Sequence, residues 1–509
     1  MLTRRSFFNL VGAGAAGLTL AWPSASRGNS NNANNRPNFI FYITDDISVD
    51  DLGPYGNPFV KTPHLDRMAE EGIVFDNAYL TTAQCSPMRC STITGRYPHN
   101  TGAPELHNPL PDDQYVFTDT LRQVGYYTAL SGKTHMGPNI DRAFDDVFPS
   151  IGHGGQEEWV SIMRNRPKDK PFFFWFASHD AHRPWQFDDK APRYEPDEIT
   201  VPPYLYDGPE TRQDLADYFH EVSRTDYYLG QLRDELERQG IVENTYVIYI
   251  SDNGRPFPRS KAVLYESSIK TPLIIWAPNR IQPSRTDSLV SSIDFAPTFL
   301  ELAGINQQAN LTSVVDDSGV SMVFTPSRPQ IQGVSFAKIL SDPTAKTRDY
   351  VFAERNWHVH QAHQRMVRYK KWVYMRDAWP ERMALEGTLY TPTGQELLEK
   401  ERQGLLQPHQ RNMFLQPRPP EELYNVDHDP HQFNNLADSE LPEHQEVLAH
   451  LREVLNRWTE QTGDTVPDDP TNDMRDIDGK RNPDFRRGTR PGAERNARQI
   501  NHPGPILRQ

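Results

Sequence analysis

The chain has 509 residues, enough for two domains, and a formal charge of −14. So acidic a balance argues against general binding of polyanions such as nucleic acid, and any affinity for an anionic substrate needs positive charge gathered in a pocket. Its two cysteines, Cys85 and Cys90, exclude a disulfide framework.

Residues 1–28 read as a twin-arginine export signal. Arg4 and Arg5 precede an apolar stretch from Val11 to Trp22, then the small residues Ser24, Ala25 and Ser26. The apolar run is short for a membrane span, so the mature protein is expected to be periplasmic or secreted and free of the membrane. An Asn-rich linker follows over 27–36.

Asn38–Thr44 is a continuous apolar run, the pattern of a strand buried on both faces of a parallel sheet, and it ends in Asp45-Asp46. A helix is expected from Pro63 to near Gly72. In Cys85-Ser-Pro-Met-Arg-Cys-Ser-Thr-Ile-Thr-Gly-Arg96, Ser86 suits a helix cap, Pro87 the first helical position and Gly95 the stop. Cys85 then sits at a helix N-terminus, either as a low-pKa thiolate or as a small buried residue.

Strands are expected at Gly125–Leu130, Phe172–Phe176 and Tyr246–Ile250. Lys133 and His135 follow the first, His179 and His182 the second, Asp252 and Asn253 the third. A long amphipathic helix runs between the last two strands through Leu215, Phe219, Val222, Leu229, Leu232 and Leu236 to near Gly240. Ligands of open α/β sheets bind beyond the carboxyl ends of the strands, so these polar residues should meet on one edge. Asp45, Asp46, Asp252 and Asn253 supply only oxygen donors, which suits calcium, and magnesium after it, better than zinc. Lys133 and Lys261 could neutralise an anionic group. His135, His179 and His182 are candidate acids or bases.

Pro272–Trp276 is a further strand, 303–332 is polar and loop-like, and the texture changes beyond about residue 345. There short strands at 351–353, 366–367 and 372–375 and a helix through Leu448, Leu451, Leu455 and Trp458 indicate an α+β unit on an antiparallel sheet. The expected division is a signal at 1–28, a catalytic domain at 37–345, a smaller domain at 346–463 and an extended or partly disordered tail at 464–509.

Cys85-x-Pro87-x-Arg89 with Thr94-Gly95-Arg96 resembles the signature of the type I sulfatases, departing at Met88, where the family usually has serine. Gly125-Tyr126 through Gly132-Lys133-x-His135 resembles the second signature, and Asp45-Asp46 and Asp252-Asn253 match the metal ligands in order. Glu422–Asn425 and Asn435-Leu436-Ala437 are similar to the C-terminal segment.

The resemblance implies an alkaline-phosphatase-like α/β fold and a formylglycine made from Cys85 by a formylglycine-generating enzyme. It implies calcium held by Asp45, Asp46, Asp252, Asn253 and residue 85. Arg89 would orient the hydrated aldehyde, and Lys133 and Lys261 would bind sulfate. His135 would take the proton of the second hydroxyl, and His179 would protonate the leaving atom. Local text around Ser178–Arg183, Ser251–Pro258 and Pro98–His107 is most similar to the heparan N-sulfatase branch, although Lys261 stands where that branch often has arginine. His182, and His358 from the smaller domain, would contact the sugar.

The expected activity is therefore removal of sulfate from a saccharide, N-sulfoglucosamine first. O-sulfate hydrolysis, phosphate mono- or diester hydrolysis on the same fold, and non-catalytic saccharide binding are the alternatives. The sequence leaves the oligomeric state open.

Overall fold

The computed structural model describes residues 36–305, 313–315, 321–323 and 331–507. The export signal lies outside these, as does most of the polar stretch 303–332, of which Ser313–Val315 and Ser321–Val323 pair antiparallel.

Eight strands form the principal sheet: β1 (Asn38–Thr44), β2 (Ile73–Phe75), β3 (Tyr127–Gly132), β4 (Asp146–Phe148), β5 (Phe172–Ala177), β6 (Thr245–Ser251), β7 (Leu273–Trp276) and β8 (Ser284–Thr286), in the order β4-β3-β5-β1-β6-β7-β2-β8. The run β4-β3-β5-β1-β6 is parallel throughout, whereas β7 is antiparallel to both neighbours. Every residue of β1 is buried. Phe39, Phe41 and Ile43 face one core, and Ile40 and Tyr42 face the other. Alternation in a strand covered on both sides makes such a continuous apolar run necessary.

Helices cover both faces. Met68 of α1 (Pro63–Glu71), and Leu215, Val222, Leu229 and Leu236 of α3 (Pro209–Arg238), pack on the Ile40 side. Met88 and Ile93 of α2 (Cys85–Thr94), and Phe295 and Phe299 of α4 (Phe295–Leu302), pack on the other. Phe299 meets Phe39, Phe41, Phe117 and Phe173 at centroid distances of 5.1–5.4 Å, a hub of edge-on and stacked rings.

A second sheet is an antiparallel meander of β9 (Tyr350–Arg355), β10 (Gln364–Tyr369), β11 (Trp372–Asp377) and β12 (Glu421–Asn425). One face carries α5 (Pro442–Thr462), whose Trp458 stacks on Phe352 at 5.1 Å. The other face (Val351, Ala353, Met366, Val373) joins the core of the principal sheet.

Residues 464–507 contain two three-residue helical turns and an antiparallel bridge between Arg475 and Arg481, and they make polar contacts with the rest of the chain. Asp464 pairs with Arg365, Asn472 accepts from the Trp357 indole at 2.8 Å, and the Ile500 carbonyl accepts from Arg96 at 2.9 Å.

Candidate active site

The four parallel neighbours β3, β5, β1 and β6 end in register, so the segments after them share one edge. The Lys133 amide bonds the Ala177 carbonyl at 2.8 Å, Ser178 bonds Ile43 at 2.8 Å, and Asp252 bonds Thr44 at 3.1 Å. Gly132 closes β3 at φ +91°, and a side chain there would put Cβ 1.9 Å from the Ala177 oxygen. Only glycine lets the chain turn into Lys133 at that spacing.

α2 presents its N-terminus to this edge. It begins at Cys85, capped by Gln84, two residues earlier than the Ser86-Pro87 pair suggests, and it ends on Gly95 at φ +66°. Proline is tolerated anywhere in the first turn because those N–H groups lack intrahelical partners, so Pro87 falls at the third position. Every residue of α2 is buried.

Asp45, Asp46, Cys85 and Asp252 bring donor atoms within 4.8 Å of one another. The Cys85 thiol donates to Asn253 Oδ1 at 3.2 Å and lies 3.7 Å from Asp45 Oδ1. Each buried carboxylate has its own buried cation. Lys133 Nζ pairs with Asp45; Lys261 Nζ lies 2.6 Å from both oxygens of Asp46; Arg89 Nε and Nη2 lie 2.9 and 2.7 Å from Asp252 Oδ2. Arg89 Nη1 also donates to the Lys133 carbonyl at 2.9 Å, tying α2 to the end of β3.

Burial opposes charge on all three acids, with different results. At Asp45 the field of Lys133 overcomes it and holds the carboxyl well below its ordinary range. At Asp46 desolvation prevails over Lys261, and the pKa is pushed up to about 7. Asp252 is raised by burial and by Asp45, against Arg89. Burial likewise pushes the Cys85 thiol up to about 12, with Lys133 and Lys261 opposing. Cys85 is a buried residue, as the second of its two readings has it.

The histidines border this cluster. His135 Nε2 is 2.7 Å from His107 Nδ1, and His135 Nδ1 is buried with no hydrogen-bond partner. Burial, then Lys133 and Arg89, lower His135 to about 2. His179 is lowered by burial and Lys133, and His182 to about 3 by Lys261 and then desolvation. His358 is half-buried, its Nδ1 has no partner, and burial followed by Lys261 and His107 holds it well below its ordinary value. The edge thus brings together all of the expected acids, lysines and histidines. His107 was not expected at the site. Its signal in the sequence is its place at the end of Pro98–His107, one of the stretches similar to the heparan N-sulfatase branch, which gave it no role.

Three clustered carboxylates and one amide oxygen fit a hard divalent cation: hard donors, no imidazole, and negative charge that needs compensation. Asp45, Asp46, Asp252 and Asn253 would hold it beside residue 85. Tyr218 Oη donates to the Asp46 carbonyl at 3.0 Å, and Asp46 adopts φ +60°, so its backbone is fixed from behind.

The sulfatase family profile matches residues 37–154 and 156–305, and the profile described as N-sulphoglucosamine sulphohydrolase, C-terminal, matches 259–379. The chain is 28% identical over 486 residues to an ulvan-active sulfatase of Formosa agariphila, covering 84% of this chain and 76% of that one. It is 28% identical over 484 residues to the N-sulphoglucosamine sulphohydrolase of Homo sapiens, covering 84% and 90%. A structure solved in complex with its substrate D-glucosamine-2-N,6-O-disulfate superposes with a TM-score of 0.60 at 21% identity, covering 82% and 97%. The phosphonate monoester hydrolase of Agrobacterium radiobacter shares the fold at 0.59 and 16% identity, covering 82% and 94%.

Proposed function

The chain belongs to the sulfatase family, a sulfuric ester hydrolase by descent, and from that premise we propose that it removes the N-sulfo group from glucosamine at the end of a heparan- or heparin-type saccharide. The observation that carries the choice of substrate is the second profile match, over 259–379, which includes Lys261 and β9 to β11. The human N-sulphoglucosamine sulphohydrolase, similar along nearly its whole length, points the same way.

In this reading Cys85 is oxidised to formylglycine by a formylglycine-generating enzyme, and the hydrate supplies the nucleophilic oxygen. A calcium ion among Asp45, Asp46, Asp252 and Asn253 would supply the positive charge that lowers the pKa of that hydroxyl. Lys133 and Lys261 neutralise the carboxylates of Asp45 and Asp46 in the metal-free chain. With a divalent cation held by those carboxylates, both ammonium groups would be available to the sulfuryl oxygens, where charge develops during transfer. Arg89 holds residue 85 and the end of β3 in register. His135 accepts a proton at its bare ring nitrogen, and His179 delivers one to the leaving nitrogen. His182 and His358 line the approach of the sugar. We assign the chemistry to 37–345 and the rim to 346–463, and read 1–28 as a twin-arginine signal that exports the folded enzyme to the periplasm or beyond.

The Formosa relative supports a second reading, an O-sulfatase on another glycan. Sulfate release from glucosamine N-sulfate, 6-O-sulfate and 3-O-sulfate monosaccharides tests the choice. The N-sulfated sugar should turn over at least tenfold faster in kcat/KM, and the opposite order would establish the O-sulfatase.

A further inference from the structure

His107 Nδ1 and His135 Nε2 share one hydrogen at 2.7 Å. If His107 donated it, His135 would have to carry its own hydrogen on Nδ1, a buried atom with no acceptor within reach. If His135 donates it, that atom is a bare lone pair on a ring in the field of Lys133 and Arg89, and this buried ring nitrogen carries no unmet N–H.

We propose that His107 is a positioning residue, which selects the His135 tautomer whose Nδ1 is free to accept a proton, and that the C-terminal segment holds His107 in place for this. This rests on the role given to His135 above. The hydrogen-bond acceptor beyond a working imidazole commonly fixes its tautomer.

The supports of His107 come from three parts of the chain. Its amide donates to Ser86 Oγ at 2.7 Å, next to residue 85. The Leu106 amide donates to the Trp357 carbonyl at 3.2 Å. Arg487 Nη2 donates to the Leu106 carbonyl at 2.9 Å, and Arg487 Nη1 and Thr471 Oγ1 reach Glu105 Oε2 at 3.2 and 2.9 Å. The Arg487 guanidinium also lies 4.1 Å above the Trp357 ring. His107 sits at φ +64°, a conformation that needs such external support. Thr471 and Arg487 lie outside both matched profiles.

The test uses the full-length protein, with His107→Gly and His107→Asn. Glycine removes the ring without straining the positive φ, and Asn Oδ1 returns an acceptor close to the position of Nδ1. The glycine variant should lose about 100-fold in kcat with KM within about twofold, the low end of what a positioned acid or base contributes. The Asn variant should recover to within about fivefold of the parent. Nitrogen-15 NMR of labelled histidines should show His135 Nδ1 unprotonated in the parent protein. A protonated Nδ1, parent-like turnover by the glycine variant, or an Asn variant as slow as glycine would each overturn the proposal. The NMR result decides it even if the parent hydrolyses no sulfated sugar, which would instead refute the reading of substrate and reaction.

Discussion

Lys261 Nζ sits 2.6 Å from both oxygens of Asp46, and both residues are buried. A buried ion pair with one partner removed strands a charge, at a typical cost of about 3–5 kcal/mol. Under the proposed function this relationship would tie substrate binding to metal binding, because one lysine would serve both. Lys261→Met should therefore lower the stability of the metal-free protein by roughly that amount, and calcium should restore a large part of it. Thermal unfolding with calcium and with chelator checks this, and a calcium effect equal in parent and variant would contradict it.

Arg89→Lys keeps the charge but cannot reach Asp252 and the Lys133 carbonyl together. The account expects kcat/KM to fall by about 100-fold, equivalent to about 2.7 kcal/mol of transition-state stabilisation. Steady-state kinetics on N-sulfoglucosamine measures it.

Gly132→Ala brings a methyl group onto the Ala177 oxygen and forces an alanine to φ +91°. Lys133 would move with it. Both thermal stability and activity should drop, with a loss of more than about 2 kcal/mol from strain and clash together, measured by chemical denaturation.

Phe299→Ala empties the centre of the ring cluster on the α4 side, far from the charged edge. Destabilisation of about 3–5 kcal/mol is expected, with kcat of the protein that remains folded unchanged. Denaturation curves and active-site titration separate the two.

Asp226 gives a pH signature remote from the reaction. Its carboxylate accepts from the Leu65 and His64 amides at 2.6 and 3.2 Å, yet burial pushes its pKa up to about 7. A folded-state pKa above the unfolded value means stability that is full below about pH 4 and is lost as pH rises through about 7. Asp226→Asn removes this titration, so the variant should gain on the parent between pH 5 and 8. Urea unfolding at both values checks the sign.

The charged edge was legible in the sequence because each contributing strand is an apolar run that stops abruptly at ionisable residues. Parallel neighbours then carry those residues to one place, which is why Asp45, Lys133, His179 and Asp252 could be grouped before their contacts were known. The start of α2 was less legible, since proline fits several positions of a first turn. His107 was illegible because its partner His135 is 28 residues away and its placement depends on tertiary contacts alone. The packing of residues 464–507 was hidden for a related reason. Carbonyls and guanidinium groups, such as those of Ile500 and Arg96, hold that segment, and they have no periodicity to read. The helix Pro392–Arg402 lies in a stretch where no element was expected, although Thr391 caps it and Pro392 opens it.

The central claim is that residue 85, matured to an aldehyde and set among Asp45, Asp46 and Asp252, is the group that takes the sulfuryl. The most direct measurement pairs two readouts on protein made with a formylglycine-generating enzyme: the mass of the tryptic peptide ending at Arg89, and sulfate release from N-sulfoglucosamine in calcium. The account predicts a peptide lighter by about 18 Da, the thiol-to-aldehyde difference, with release proportional to the converted fraction and absent in Cys85→Ala. Release by Cys85→Ala at the parent rate would contradict it.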